Sequence, residues 1–95
     1  MVAREKTLSV YKYPIRPNDI VELDLPSGAE LLKVADQKGT VCMWALVDPS
    51  MPTERRKFRM AGTGHPILEP AEYLVHVDSW LMAGGSLVFH LFEIL

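Results

Sequence analysis

Proline and glycine recur so closely along this chain that helices of ordinary length have almost nowhere to form. Pro14, Pro17, Pro26, Gly28, Gly39, Pro49, Pro52, Gly62, Gly64, Pro66, Pro70, Gly84 and Gly85 divide it into runs of about five to nine residues, the length of strands. Proline has no N–H to give to a helix interior, and its ring restricts the residue before it. Only 69–82 is long enough for a helix, with Pro70 standing where a first helical residue would. Within it, Tyr73-Leu74-Val75-His76-Val77 is rich in residues that suit a pleated surface, so strand is expected there too.

The runs at 7–13, 20–25, 30–36, 40–47, 54–61, 73–78 and 86–94 carry strand patterns. In the second, Val21, Leu23 and Leu25 alternate with Glu22 and Asp24, the mark of a half-buried strand. The fourth, Thr40-Val41-Cys42-Met43-Trp44-Ala45-Leu46-Val47, is apolar on both faces and belongs at the centre of a sheet or between layers. Pro26-Ser27-Gly28-Ala29 reads as a turn, and Gln37-Lys38-Gly39 as the close of a hairpin. The expected fold is all-β, a small antiparallel β-sandwich or barrel of about seven short strands. With 95 residues the chain has room for one core, so 1–95 is read as a single β domain.

Composition removes several functions. The formal charge of −2 gives no reason to expect long nucleic acid or a membrane surface as partner. Met1-Val2-Ala3-Arg4-Glu5-Lys6 has no apolar leader, and no apolar run approaches the ~20 residues of a membrane span. Cys42, the single cysteine, excludes an intramolecular disulfide and suggests a reducing, cytoplasmic setting.

Charge is concentrated in one place. Four of the ten lysines and arginines lie in Arg55-Arg56-Lys57-Phe58-Arg59. Period two puts Arg56, Phe58 and Met60 on one face and Arg55, Lys57 and Arg59 on the other. The second set would line roughly 13 Å of strand, a spacing suited to two phosphates of one small ligand or to acidic side chains of a partner. An edge strand guarded by cations against aggregation would look the same.

Gly62-Thr63-Gly64-His65-Pro66-Ile67 follows directly. Exposed N–H groups around Gly62, Thr63 and Gly64 suit an anion nest, and His65 suits a phosphate oxygen or a base. A tight turn that needs its glycines is the structural alternative, and no helix follows to make a phosphate-binding loop of the familiar kind. Tyr11 and Tyr13 share a strand face and are the best stacking surface for a nucleobase. Tyr73 and Trp80 are further options, while Trp44 is expected in the core.

Catalysis finds no support. His65, His76 and His90 have no metal-ligand spacing with each other or with Cys42. Ser86 and His90 would sit about 13 Å apart along one strand. Hence no catalytic residue, metal or cofactor is expected, and His90 reads as a core or interface histidine.

Tyr11-Lys12-Tyr13-Pro14, Met43-Trp44-Ala45-Leu46-Val47-Asp48-Pro49, the Gly62–Ile67 stretch and Gly84-Gly85-Ser86-Leu87-Val88-Phe89-His90 together resemble a largely uncharacterised family of small phage and prophage proteins. The resemblance spans nearly the whole chain. It implies a small accessory phage protein, neither capsid nor polymerase. Unrelated phage families of this size act as sponges that sequester cyclic nucleotide signals of bacterial defence. By that analogy the chain is expected to be a non-enzymatic homo-oligomer binding an anionic small molecule. Arg55, Lys57 and Arg59 would hold its phosphates, Gly62 to His65 would supply donors, and Tyr11 or Tyr13 would stack on its base. The alternatives are an interaction module that binds and inhibits a host protein, or a structural phage protein.

Overall fold

Each run between turn signals folds as a strand: β1 (Ser9–Pro14), β2 (Ile20–Pro26), β3 (Glu30–Gln37), β4 (Thr40–Val47), β5 (Thr53–Gly62), β6 (Leu74–Met82) and β7 (Leu87–Ile94). The computed structural model describes residues 7–95, so the stretch 1–6 read above for a leader lies outside the described residues. The strands form two antiparallel sheets, a three-stranded one in the order β1-β4-β3 and a four-stranded one in the order β2-β5-β7-β6. The arrangement is a sandwich. The helix-compatible 69–82 segment contributes only a single 3₁₀ turn, Ala71–Tyr73, before it extends into β6.

Local chemistry sets the reversals. The β3–β4 hairpin turns through Lys38 and Gly39, with φ of 52° and 89°. Two positive φ angles match the right-handed twist of the strands they join. After β4, Asp48 Oδ1 accepts from the Ser50 backbone N–H at 3.0 Å and the Ser50 hydroxyl at 2.7 Å. That bend carries the chain from the three-stranded sheet into β5 of the other sheet.

The core lies between the layers. Val41, Met43, Ala45 and Val47 of β4 face Val21, Leu25, Phe58 and Leu91 of the opposite sheet. Phe58 and Leu91 are wholly buried, each stabilising the fold by about 1.5–3 kcal/mol relative to exposure. The two tryptophans exchange their expected places. Trp80 is in the core, 5 % exposed and stacked on Phe89 at 6.2 Å, so it offers no free ring. Trp44 takes the opposite parity from Met43 and Ala45, and is half-buried on the outer side of the three-stranded sheet.

Two polar links join the sheets along one side, where β3 runs beside β6. Arg56, on the inward face of β5, forms a two-pronged pair with Glu93 of β7 at 2.6 and 2.7 Å and donates to Ala29 O at 2.7 Å. Hydrogen bonding to Glu93 raises the Arg56 pKa above its ordinary value. Asp78 Oδ2 accepts from the Val34 N–H of β3 at 2.7 Å. Bulges at Leu31/Lys33 and His76/Asp78 interrupt the register beside this contact, as expected where a strand bends to re-aim a side chain.

Candidate functional site

The outer face of the four-stranded sheet carries most of the residues singled out in the sequence. Arg55, Lys57 and Arg59 project there, because the alternate positions Phe58 and Met60 enter the core. As a free row of cations, however, the expectation needs correction. Arg55 donates to Asp24 at 3.0 and 3.2 Å and to Glu22 at 3.2 Å, since antiparallel β2 sets Asp24 directly opposite it. Arg59 forks onto Glu69 at 2.7 and 2.6 Å, with both side chains largely covered. These bonds hold the Asp24 and Glu69 carboxyls below the usual carboxylate range. Lys57 adds to the field on Glu69 but makes no hydrogen bond or ion pair among the described residues.

The bend is built tightly against β7. His65 N–H donates to Gly62 O and Thr63 N–H to Val88 O, both at 3.0 Å. Gly64 stands at φ +88°, where a side chain would strain the backbone. Gly62 serves differently: a Cβ there would lie 3.0 Å from the His65 ring. His65 therefore rests on bare backbone. Arg59 and His65 line one shallow depression of about 290 Å³ together with Asp19 and Leu68. Thr63 and His65 line another of about 320 Å³ toward Ser86 and Leu87. The bend thus meets Arg59 but not Arg55.

A row of polar side chains that sequence reasoning missed begins at the same bend. Thr63 Oγ1 lies 2.7 Å from His90 Nε2, His90 Nδ1 lies 2.7 Å from Ser79 Oγ, and Ser79 Oγ lies 2.9 Å from His76 Nε2. The row runs from the residue just after β5 across β7 to β6. His76 and Ser79 are exposed, whereas His90 is half-buried. Phe92 meets the His76 ring edge-on at 5.3 Å. Period two would separate His76 from Ser79, three residues on. The bulge at His76/Asp78 adds the residue that returns both to one face. The outward parity of His90 with Val88 and Phe92 was the only signal available in the sequence.

The tyrosines lie elsewhere. Tyr13 pairs with Met43 and Tyr11 with Ala45, so both turn toward the inner side of the three-stranded sheet. Tyr13 packs on the core and Tyr11 is 41 % exposed. The four-stranded sheet therefore separates them from the Arg55–Arg59 face, and one small ligand does not touch both. Burial, then the neighbouring Tyr11, pushes the Tyr13 hydroxyl up. Among the described residues no group of three or more His, Cys, Asp or Glu side chains is arranged for a metal, and no helix is long and apolar enough to cross a membrane.

Among the described residues the chain is an all-β domain of seven strands in two antiparallel sheets. It belongs to the DUF7352 family, described as a domain of unknown function, whose model matches residues 6–94. No curated protein and no solved structure matches it.

Proposed function

We propose that this chain is a small phage-type accessory protein that acts in the host cytosol by binding and not by turnover. Its ligand is an anionic small molecule, in the leading case a cyclic nucleotide defence signal. The ligand sits on the outer face of the four-stranded sheet along Thr63, His90, Ser79 and His76. One observation carries this reading: an exposed serine hydroxyl lies within hydrogen-bond distance of two imidazoles beside the glycine bend. Each hydroxyl and each neutral imidazole both donates and accepts. The row therefore has no fixed direction, and an oxyanion above it draws the donors toward itself. Lys57, with no carboxylate bonded to it among the described residues, contributes positive charge on the same face. Arg55 and Arg59 contribute less, because Asp24, Glu22 and Glu69 already occupy them.

Calorimetry against inorganic phosphate and a panel of cyclic di- and trinucleotides tests the reading. Binding of one panel member is expected, lost in Ser79→Ala and His90→Ala, kept in Arg55→Glu, with the ligand recovered unchanged. No heat from any compound at high protein concentration would remove the proposal.

A second reading, an interaction module that inhibits a host protein, draws on the other sheet. Half-buried Trp44 lies with Val10, Leu32, Lys33 and Ala35 in an open depression of about 540 Å³. An aromatic ringed by aliphatic groups with a charged margin is the composition of an interface centre. Stoichiometric capture of one purified host protein, abolished by Trp44→Ala but not by Ser79→Ala, would favour this reading over the first.

A further inference from the structure

We infer that the chain pairs with a second copy of itself through β1, joining two three-stranded sheets into one continuous six-stranded sheet. A sandwich of two open sheets has four edges, here β1 and β3 of one sheet and β2 and β6 of the other. Exposed edges invite strand pairing unless they are covered, charged, bulged or interrupted by proline. Three of the four carry such a device. β3 and β6 lie beside each other, both are bulged, and Asp78 takes the Val34 N–H. β2 carries Glu22 and Asp24 and ends at Pro26.

β1 also ends at a proline, Pro14, but among the described residues its edge is neither covered nor bulged, and its exposed side chains are largely apolar. Val10 and Tyr11 in it and Leu8 just before it are 56 %, 41 % and 50 % exposed. Its one charge, Lys12, is drawn back across the sheet, where Nζ donates to Gln37 Oε1 at 3.0 Å. That bond directs the ammonium toward β3 and away from the β1 edge.

The backbone fixes which residues of β1 are free to bond a second copy. Ile15 N–H donates to Val41 O at 2.8 Å, continuing the register that sets Pro14 opposite Cys42. Antiparallel pairs alternate between exchanging hydrogen bonds and not. The odd residues of β1 therefore bond to β4, and Val10 and Lys12 direct their N–H and C=O groups outward. Pro14 has no N–H to offer. Two β1 strands centred on Tyr11 place each Val10 opposite the partner's Lys12, where each pair exchanges both of its bonds. The two Tyr11 side chains then meet across the two-fold axis in a position without hydrogen bonds, where cross-strand side chains come closest. Centring on Lys12 instead sets ammonium against ammonium and Val10 against a proline. The choice of a second copy rests on this self-complementarity and is independent of the ligand proposed for the other sheet.

Cross-linking and sedimentation test the pairing on the full chain. Paired Cα atoms at such a position lie about 4.5 Å apart, within the span of a disulfide. Tyr11→Cys is expected to give a covalent dimer under mild oxidation, whereas Lys12→Cys does not. Cys42 is buried and does not compete. Val10→Pro, at an N–H that β4 does not use, is expected to raise the dimer dissociation constant by ~100-fold or more while circular dichroism stays native. If Val10→Pro fails to fold, the cysteine pair decides alone. A wild-type chain that stays monomeric at high micromolar concentration overturns the inference. So does a dimer that cross-links at position 12 and not at position 11.

Discussion

Asp78 Oδ2 accepts the backbone N–H of Val34 at 2.7 Å, so a side chain of one sheet completes the backbone hydrogen bonding of the other. The donor belongs to a strand at the edge of its sheet, and among the described residues no strand is hydrogen-bonded to it on that side. Removing the carboxylate leaves a partly buried N–H without a partner, at a cost of about 1–3 kcal/mol. Asp78→Ala is expected to lower the denaturant midpoint accordingly. Hydrogen exchange at Val34 is expected to accelerate, while amides in the middle of β4 follow only the global change.

The two arginine pairs on opposite faces of β5 should differ sharply under mutation. Arg56 and Glu93 are 16 % and 15 % exposed and hold each other by two bonds, with Ala29 O as a third partner. Arg56→Met strands a covered carboxylate and is expected to cost roughly 2–3 kcal/mol. Arg55 is 63 % exposed, so Arg55→Ala should leave the thermal midpoint close to wild type. Thermal denaturation of both variants in one buffer checks the contrast.

Acid should weaken the fold through Glu69 and Asp24. Arg59 and Arg55 respectively depress their folded pKa values. The stability they contribute is therefore complete above the unfolded carboxylate range, about pH 4, and is lost as pH falls through their lower folded values. Denaturant midpoints between pH 7 and pH 2 should fall less steeply at the acid end in Glu69→Gln than in wild type. Identical acid limbs would show that the Arg59–Glu69 pair contributes nothing to the pH dependence.

Two glycines of the bend should respond differently to alanine. Gly64→Ala forces a side chain into φ +88° and is expected to cost about 1 kcal/mol or somewhat more. Gly62→Ala meets the His65 ring at 3.0 Å, and that ring is exposed and free to swing aside. Little stability should be lost, but the ring resonances of His65 should shift in an NMR spectrum. Unchanged His65 resonances would show that the ring does not rest on Gly62.

Much of the fold was legible because alternation and turn chemistry are local. The parity of Arg55, Lys57 and Arg59 against Phe58 and Met60 followed from period two, and the all-β class, though not the choice of sandwich over barrel, from runs too short for helices. Their neutralisation was not legible. Asp24 and Glu22 read correctly as outward-facing, but their position opposite β5 depends on a pairing between strands distant in sequence. Glu69 reaches Arg59 only because the loop folds back. The row from Thr63 to His76 was hidden by a single extra residue, the bulge that brings His76 and Ser79 to one side. Trp44 was misassigned because an apolar strand does not reveal which of its faces is covered.

Glu69 meets Arg59 at one end of the segment, and Thr63 is bonded to Val88 at the other. The spacer between these anchors has a fixed residue count and, apart from Gly64, little restriction on its chemistry. Leu68 is 80 % exposed and open to replacement. One inserted or deleted residue, by contrast, would slide the carboxylate off its guanidinium and leave a cation where a salt bridge had been.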